Sequence, residues 1–355
     1  MRKTAIFKSD MFLMHDPGPN HPERVDRLRV IYDYIGRPTV KNKFVYPEFE
    51  PATQEDIERN HANDLVQRVA ETSGKVYDFL DQDTATSARS YEAALLAAGS
   101  VKKGVDLLMA KEIDNGFALV RPPGHHAERD RSMGFCLFNN IAVAAWHARR
   151  QHQLQRILIV DWDLHHGNGT QFSFYNSSKV LYLSTHQYPY YPGTGGLQEV
   201  GIGEGEGFTV NVPLPGGLGD EDYCTIFNEI VIPVGRAYRP QLILISAGFD
   251  IYHGDPLGSM SVGPAGFAYM ARSLVELAEE VCEGRLLVTL EGGYNLKGQR
   301  EGALAVLSEL LGGPLDEDGG PVYLDDATYE KFKHANEPHE AIEQARKSAH
   351  QYWKV

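Results

Sequence analysis

Cysteine is scarce in this sequence: Cys136, Cys224 and Cys282 are the only three in 355 residues, and no two of them form a CxxC pair. That argues against a disulfide framework and against a cysteine-ligated metal site. Long apolar runs are missing too. None approaches the roughly 18–20 residues that a membrane helix needs. The stretch from Met1 to Phe12 carries charge inside its short apolar run and does not read as a signal-peptide core. A reducing, cytoplasmic compartment is the expectation, with no membrane partner. Cations are the minority charge, 34 Lys and Arg against 48 Asp and Glu, for a formal charge of -14. Such a surface repels phosphate backbones and disfavours nucleic acid. It suits cationic substrates, or simply solubility. No Pro- or Ser-rich linker divides the chain, and no internal repeat is present.

What is there reads as one large α/β domain over residues 1–355. Hydrophobic content of 42% and charged content of 23% are ordinary for a globular chain with a sizeable core. Short runs rich in Ile, Val and Leu predict strands at 116–120, 156–160, 180–184, 241–246 and 285–290. Their apolarity is continuous rather than alternating, which suits a mostly parallel sheet with helices on both faces. Longer helical patterns lie between and after them, at 90–109, 139–150, 223–238, 266–283 and 299–311. The acidic, glycine-containing stretch 316–320 reads as a surface loop, and a final helix at about 337–352 reads as packing back on the domain. The glycine-rich segment 201–207 precedes a β-like run and carries two glutamates, so it does not suit a phosphate.

The polar residues that follow these runs carry the chemistry, because ligands of open parallel sheets bind beyond the carboxyl ends of the strands. After the first run comes Arg121-Pro-Pro-Gly-His125-His126, and after the second Asp161-Trp-Asp163-Leu-His165-His166-Gly-Asn168. Ser184-Thr185-His186 follows the third, Ser246-Ala-Gly-Phe-Asp250 the fourth, and Glu291-Gly-Gly-Tyr294-Asn295 the fifth. In extended backbone, Asp161, Asp163 and His165 share one face. Asp163 and His165 can then reach one cation, with Asp250 closing the set. Two carboxylates and an imidazole leave an open position on zinc, the mark of a catalytic site; the bland alternative is an acidic strand end that caps a helix. His125 and His126 are candidates to take a proton from water and pass it to a leaving amine. Tyr294 could donate to a developing oxyanion, or anchor an ordinary Gly-Gly turn. Tyr188, Tyr190 and Tyr191 line a groove or pack a loop.

These motifs resemble one family. His21-Pro-Glu-Arg24, Arg121 to His126, Gly134-Phe-Cys-Leu-Phe-Asn-Asn140, Asp161 to Gly169, Ala247 to Asp250, Gly254-Asp-Pro256 and Glu291 to Asn295 are similar to the histone deacetylases and acetylpolyamine amidohydrolases. They stand in the family's order over about Met11 to Gly313, and the details look like its class II branch and bacterial relatives. The resemblance implies the arginase/deacetylase fold, a narrow tunnel, and one zinc ion held by Asp163, His165 and Asp250. It implies His126 as general base and acid, His125 as its electrostatic partner, and Asp161 and Asn168 as their orienting groups. Asn168 stands where other branches carry aspartate, which implies a weaker base. Tyr294 would polarise the acetyl carbonyl, Phe135 and Tyr191 would flank the acyl-lysine stem beside Gly134, and Asp83 would grip substrate backbone at the rim. A structural potassium ion is implied near Asp161, Asp163, His165, Ser184 and Thr185. Where a polyamine-selective relative reads a distal ammonium with glutamate, this chain has Leu257, which favours an acylated lysine over a small acetylated amine. A non-catalytic binder would lack a ligand, the base or the tyrosine, and none is missing. A dimanganese ureohydrolase would need more bridging carboxylates.

Overall fold

The five strongest apolar runs form the middle of a seven-stranded parallel sheet. The computed structural model describes residues 1–316, 323–334 and 337–354. Its strands are β1 (Thr4–Phe7), β2 (Asp78–Asp81), β3 (Thr84–Thr86), β4 (Asn115–Ala118), β5 (Ile157–Asp161), β6 (Val180–Gln187), β7 (Thr209–Leu214), β8 (Leu242–Ala247) and β9 (Leu286–Leu290). The large sheet runs β1-β4-β9-β8-β5-β6-β7, and β2 and β3 form a separate antiparallel hairpin. Every residue of β5, β8 and β9 is buried, as continuous Ile/Val/Leu runs demand when helices cover both faces.

The edges escaped the sequence reading. β1 is only Thr-Ala-Ile-Phe, too short to show a period, and a bridge from Ala5 to Val45 covers its outer side. β7 mixes polar residues and Pro213 into the other edge. There the helix Glu340–His350, shorter than the expected 337–352, packs against it, and Trp353 donates its indole N–H to the Gly207 carbonyl at 2.8 Å. The expected loop at 316–320 lies outside the described residues beyond Asp316.

The helices Ser90–Met109, Asn140–Gln151, Pro264–Cys282 and Leu296–Leu311 fall where the patterns put them. The segment expected as one helix at 223–238 starts at Asp220 and widens into a π-helical turn at Phe227–Val231 before Ile232–Tyr238. Pro233 has no N–H to give the preceding turn, and the wider turn accommodates it. Among the described residues no helix is long and apolar enough to cross a membrane.

The strand order positions the site. From β5 the chain winds outward through β6 and β7, then returns to the other side of β5 for β8 and β9. The winding therefore reverses between β5 and β8, whose ends are in register, Asp161 opposite Ser246. A crevice beyond such a reversal is where open sheets bind ligands.

Candidate active site

Asp163, His165 and Asp250 meet at this reversal. They do not meet by the extended-strand geometry expected for 161–165, because β5 ends at Asp161. The chain turns there instead: Asp161 Oδ1 accepts from the Asp163 N–H at 3.2 Å, and Asp163 Oδ1 accepts from the His165 N–H at 2.9 Å. Short aspartates commonly bend a chain by bonding the backbone two residues on. Other amides aim the carboxylates. Leu164 N–H donates to Asp250 Oδ1 at 2.9 Å, and Gly292 N–H donates to Asp163 Oδ2 at 2.7 Å. A Cβ on Gly292 would lie 2.4 Å from Asp250 Oδ2, so only glycine lets the β9 loop come this close.

The inward oxygens, Asp163 Oδ1 and Asp250 Oδ2, then lie 3.2 and 3.1 Å from His165 Nδ1. All three groups are buried, and one ligand atom from each falls within 4.8 Å of the others. A single imidazole N–H cannot serve two carboxylates equally well. An ion about 2.0 Å from each ligand in tetrahedral array spaces those atoms by about 3.3 Å. The trio therefore fits a divalent cation. Burial and the charge of Asp163 push Asp250 up to about 7. Burial would also raise Asp163, but His125 and His165 outweigh it and hold that carboxyl well below its usual range. Burial lowers His165, and the two carboxylates more than reverse that, to about 9. Two carboxylates this close in a dry pocket call for a shared proton or a cation between them.

The histidine pair sits on a turn held by Glu291, whose Oε2 accepts from the Gly124 and His125 N–H groups at 2.7 and 3.1 Å. His125 Nδ1 lies 3.1 Å from Asp161 Oδ2, which also accepts from the Tyr182 hydroxyl. Burial opposes the charged ring, yet the carboxylates of Asp163 and Asp161 outweigh it and raise the imidazole to about 10. His126 behaves oppositely: burial first, then the charges of His125 and His165, hold it well below its usual value, and it is neutral. Adjacent histidines with opposed environments are suited to different tasks.

Above this floor a cavity of about 330 Å³ is lined by Asp83, His126, Gly134, Phe135, His165, Tyr190, Tyr191, Leu257 and Tyr294. Gly134 and Phe135 both take left-handed backbone, φ 57° and 66°. A Cβ at Gly134 would stand 2.4 Å from the His126 ring. The strained phenylalanine is held from the hairpin, where Asp83 Oδ1 accepts from Gly134 N–H at 3.1 Å and Thr84 Oγ1 accepts from Phe135 N–H at 3.2 Å. Tyr294 faces Phe135 edge-on at 5.8 Å. Burial raises its phenol well above the usual value, so the hydroxyl keeps its proton to donate. Ser184 and Thr185 lie buried in the second half of β6, with Ser184 in register with Asp161.

The sequence between residues 21 and 310 matches the histone deacetylase domain. The chain belongs to the histone deacetylase family. Among its relatives, a probable deacetylase of Archaeoglobus fulgidus is 42% identical over 83% of this chain and 82% of its own. Histone deacetylase 15 of Arabidopsis thaliana is 43% identical over 87% of this chain, which spans 57% of that longer protein. The crystal structure of the HDA15 HD domain superposes with a TM-score of 0.88 at 38% identity, covering 99% of this chain and 96% of that one. The resemblance carried by the motifs holds, and with it the arginase/deacetylase α/β fold. As a member of a deacetylase family, the chain is a hydrolase acting on amides.

Several groups around this cavity were not singled out from sequence. Arg27 is buried; its guanidinium donates to the Gly293 carbonyl at 2.6 Å and to that of Glu291, and lies 5.0 Å from the Tyr294 ring centre. Glu23 joins Arg27 to Arg121, at 2.8 and 2.5 Å. Burial would raise its carboxyl, but Arg121, His15 and Arg27 hold it well below the usual range. Glu128 accepts from the Asn168 amide at 2.6 Å. A buried charge needs a partner, so an arginine next to a family motif was the available signal for Arg27; Glu128 had none.

Proposed function

We propose that this deacetylase hydrolyses the ε-amide of an acylated lysine, using one zinc ion held by Asp163, His165 and Asp250. The observation that carries the reading is the 3.1–3.2 Å convergence of two carboxylates on one imidazole at the floor of an aromatic cavity. Zinc, when bound, polarises a carbonyl and lowers the pKa of water from 15.7 to about 7.

The chain's own groups do the rest. His126, neutral and with Nδ1 engaged by Asn168, has Nε2 free to take a proton and return it to the leaving amine. His125, fixed by Asp161, contributes a positive charge beside it. Tyr294 donates its hydroxyl to the carbonyl oxygen as charge develops there. Phe135 and Tyr191 flank the alkyl stem and exclude water, and Asp83 accepts from substrate backbone at the rim beside Gly134. A potassium ion near Asp161, Asp163, His165, Ser184 and Thr185 belongs to the same proposal; the Thr185 hydroxyl is buried without a hydrogen-bond partner, in keeping with it. Leu257 at the cavity offers no charge for a second ammonium, which supports acyl-lysine over an acetylated polyamine.

A turnover panel tests both levels. Acetyl, propionyl and longer acyl-lysine peptides are compared with acetylpolyamines, each with and without a chelator. We expect peptide turnover that the chelator abolishes and zinc restores. Turnover untouched by exhaustive chelation would discard the metal, and a preference for acetylputrescine would discard the lysine.

A further inference from the structure

A further cluster of metal-type ligands, Asp106, His147 and His152, stands outside the residues that line the deacetylase cavity. Asp106 stands near the end of the helix Ser90–Met109. His147 is in the last turns of Asn140–Gln151, and His152 follows its end. His147 Nε2 and His152 Nε2 lie 2.6 and 2.7 Å from the same oxygen, Asp106 Oδ1. The rings are edge-to-face, 5.6 Å apart, and all three ligand atoms fall within 4.8 Å of one another.

We propose that Asp106, His147 and His152 form a second, surface site for a transition-metal dication of the zinc or copper class, clipping these two helices together. Four observations converge on it. Two imidazoles and a carboxylate without thiolate are the donor set of such ions, whereas magnesium and calcium prefer all-oxygen sites. Neither ring uses Nδ1 for a hydrogen bond among the described residues, so each can carry its proton there and turn the Nε2 lone pair to an ion. The carboxyl ends of two helices meet at the cluster, and their aligned dipoles favour a cation. The side chains of Asp106 and His152 are 37% and 22% exposed, which leaves an entry path and room for water as a fourth ligand.

Binding asks for little movement. The present contacts are hydrogen bonds, and opening them to the ligand spacing of about 3.3 Å is a shift of roughly 0.6 Å. Arg149, which stacks on Trp146, and Arg150 stand on the same turn, and their charge weakens the site relative to the catalytic trio.

The test counts metal on the full-length protein. Chelator-stripped enzyme is dialysed against zinc and the bound metal is measured by mass spectrometry, for the wild type, Asp250→Ala, His152→Ala and the double variant. We expect the wild type to take up a second equivalent, each single variant to lose a different one, and the double variant to bind none. His152→Ala should keep deacetylase turnover, and zinc should raise the Tm of Asp250→Ala but not of the double variant. The proposal is overturned if His152→Ala binds as much zinc as the wild type, or if Asp250→Ala binds none. If His152→Ala misfolds by circular dichroism, Asp106→Asn gives the same two-way reading. Because the sites are counted separately, failure of this one leaves the catalytic reading standing, and failure of the catalytic one shows as an unchanged Asp250→Ala count.

Discussion

The Nδ1–H of His126 donates to Asn168 Oδ1 at 2.8 Å, and that amide can face the ring only one way because its Nδ2 donates to Glu128 Oε1 at 2.6 Å. A carboxylate accepts and cannot donate, so Glu128 fixes the Asn168 orientation, and Asn168 fixes the tautomer of His126. The lone pair is left on Nε2, toward the cavity. The charge absent from Asn168 itself therefore sits one group further out.

Glu128→Ala should release that lock. The Asn168 amide is then free to turn over, and a turned amide draws the proton to Nε2, where the ring is no base. We expect kcat to fall on the order of tenfold with KM little changed, a fraction of the 10²–10⁴ that acid–base groups usually contribute. Glu128→Gln keeps an acceptor in place and should recover most of the rate. Steady-state kinetics on the three proteins decide it; an alanine variant with wild-type kcat ends the argument.

Tyr294→Phe removes one donor without disturbing the stacked arginine, since the guanidinium meets the ring face rather than the hydroxyl. A single oxyanion donor is worth about 3–4 kcal/mol, so kcat should drop roughly 10²–10³-fold. Substrate affinity should change far less, because the contact strengthens only as charge develops. Single-turnover rates and substrate Kd, measured separately, distinguish this from loss of ground-state binding.

The central strands and the chemistry at their ends were legible because both are local: an Ile/Val/Leu run followed at once by Asp, His or Gly needs no knowledge of the rest of the chain. Asp163, His165, Asp250, His125 and His126, which the structure brings together, stand out in that way. What escaped depends on separation in sequence. Glu128 reaches Asn168 across 40 residues and looks like any acid on a loop. Arg27 sits in a helix rich in charge, and its partners Glu23, Glu291 and Gly293 show that it faces inward. β1 was hidden by its four-residue length. The turn at Asp161–His165 departs from extended geometry because side-chain-to-backbone bonds, not alternation, place those side chains.

Leu257→Glu should move substrate preference. The residue lines the cavity, and its backbone N–H is held by Asp255 at 3.0 Å, so the new carboxylate would point from a fixed backbone. A partly exposed ion pair is worth up to about 1 kcal/mol, which predicts a roughly fivefold gain in kcat/KM for acetylpolyamines relative to an acetyl-lysine peptide. The ratio of the two specificity constants is the measurement, and no change in that ratio would mean the distal amine does not pass Leu257.

Stability should depend on pH through Glu309, far from the cavity. Burial pushes its carboxyl up from the ordinary glutamate value to about 7, despite the bond it accepts from the Leu324 N–H at 2.8 Å and the nearby Arg272. The folded chain thus holds a proton that the unfolded chain has already released. A carboxyl raised on folding is most favourable below its unfolded value near 4.5, and that stability is lost as pH rises from there through about 7. Above that window the ionised group costs on the order of a few kcal/mol. Glu309→Gln keeps an acceptor for Leu324 and cannot ionise. It should raise Tm at pH 8 and leave Tm near that of the wild type at pH 5, so the gap between the two proteins should open across pH 5 to 7. Thermal melts of both over that range settle the matter, and a gap that does not change with pH would assign the effect to packing instead.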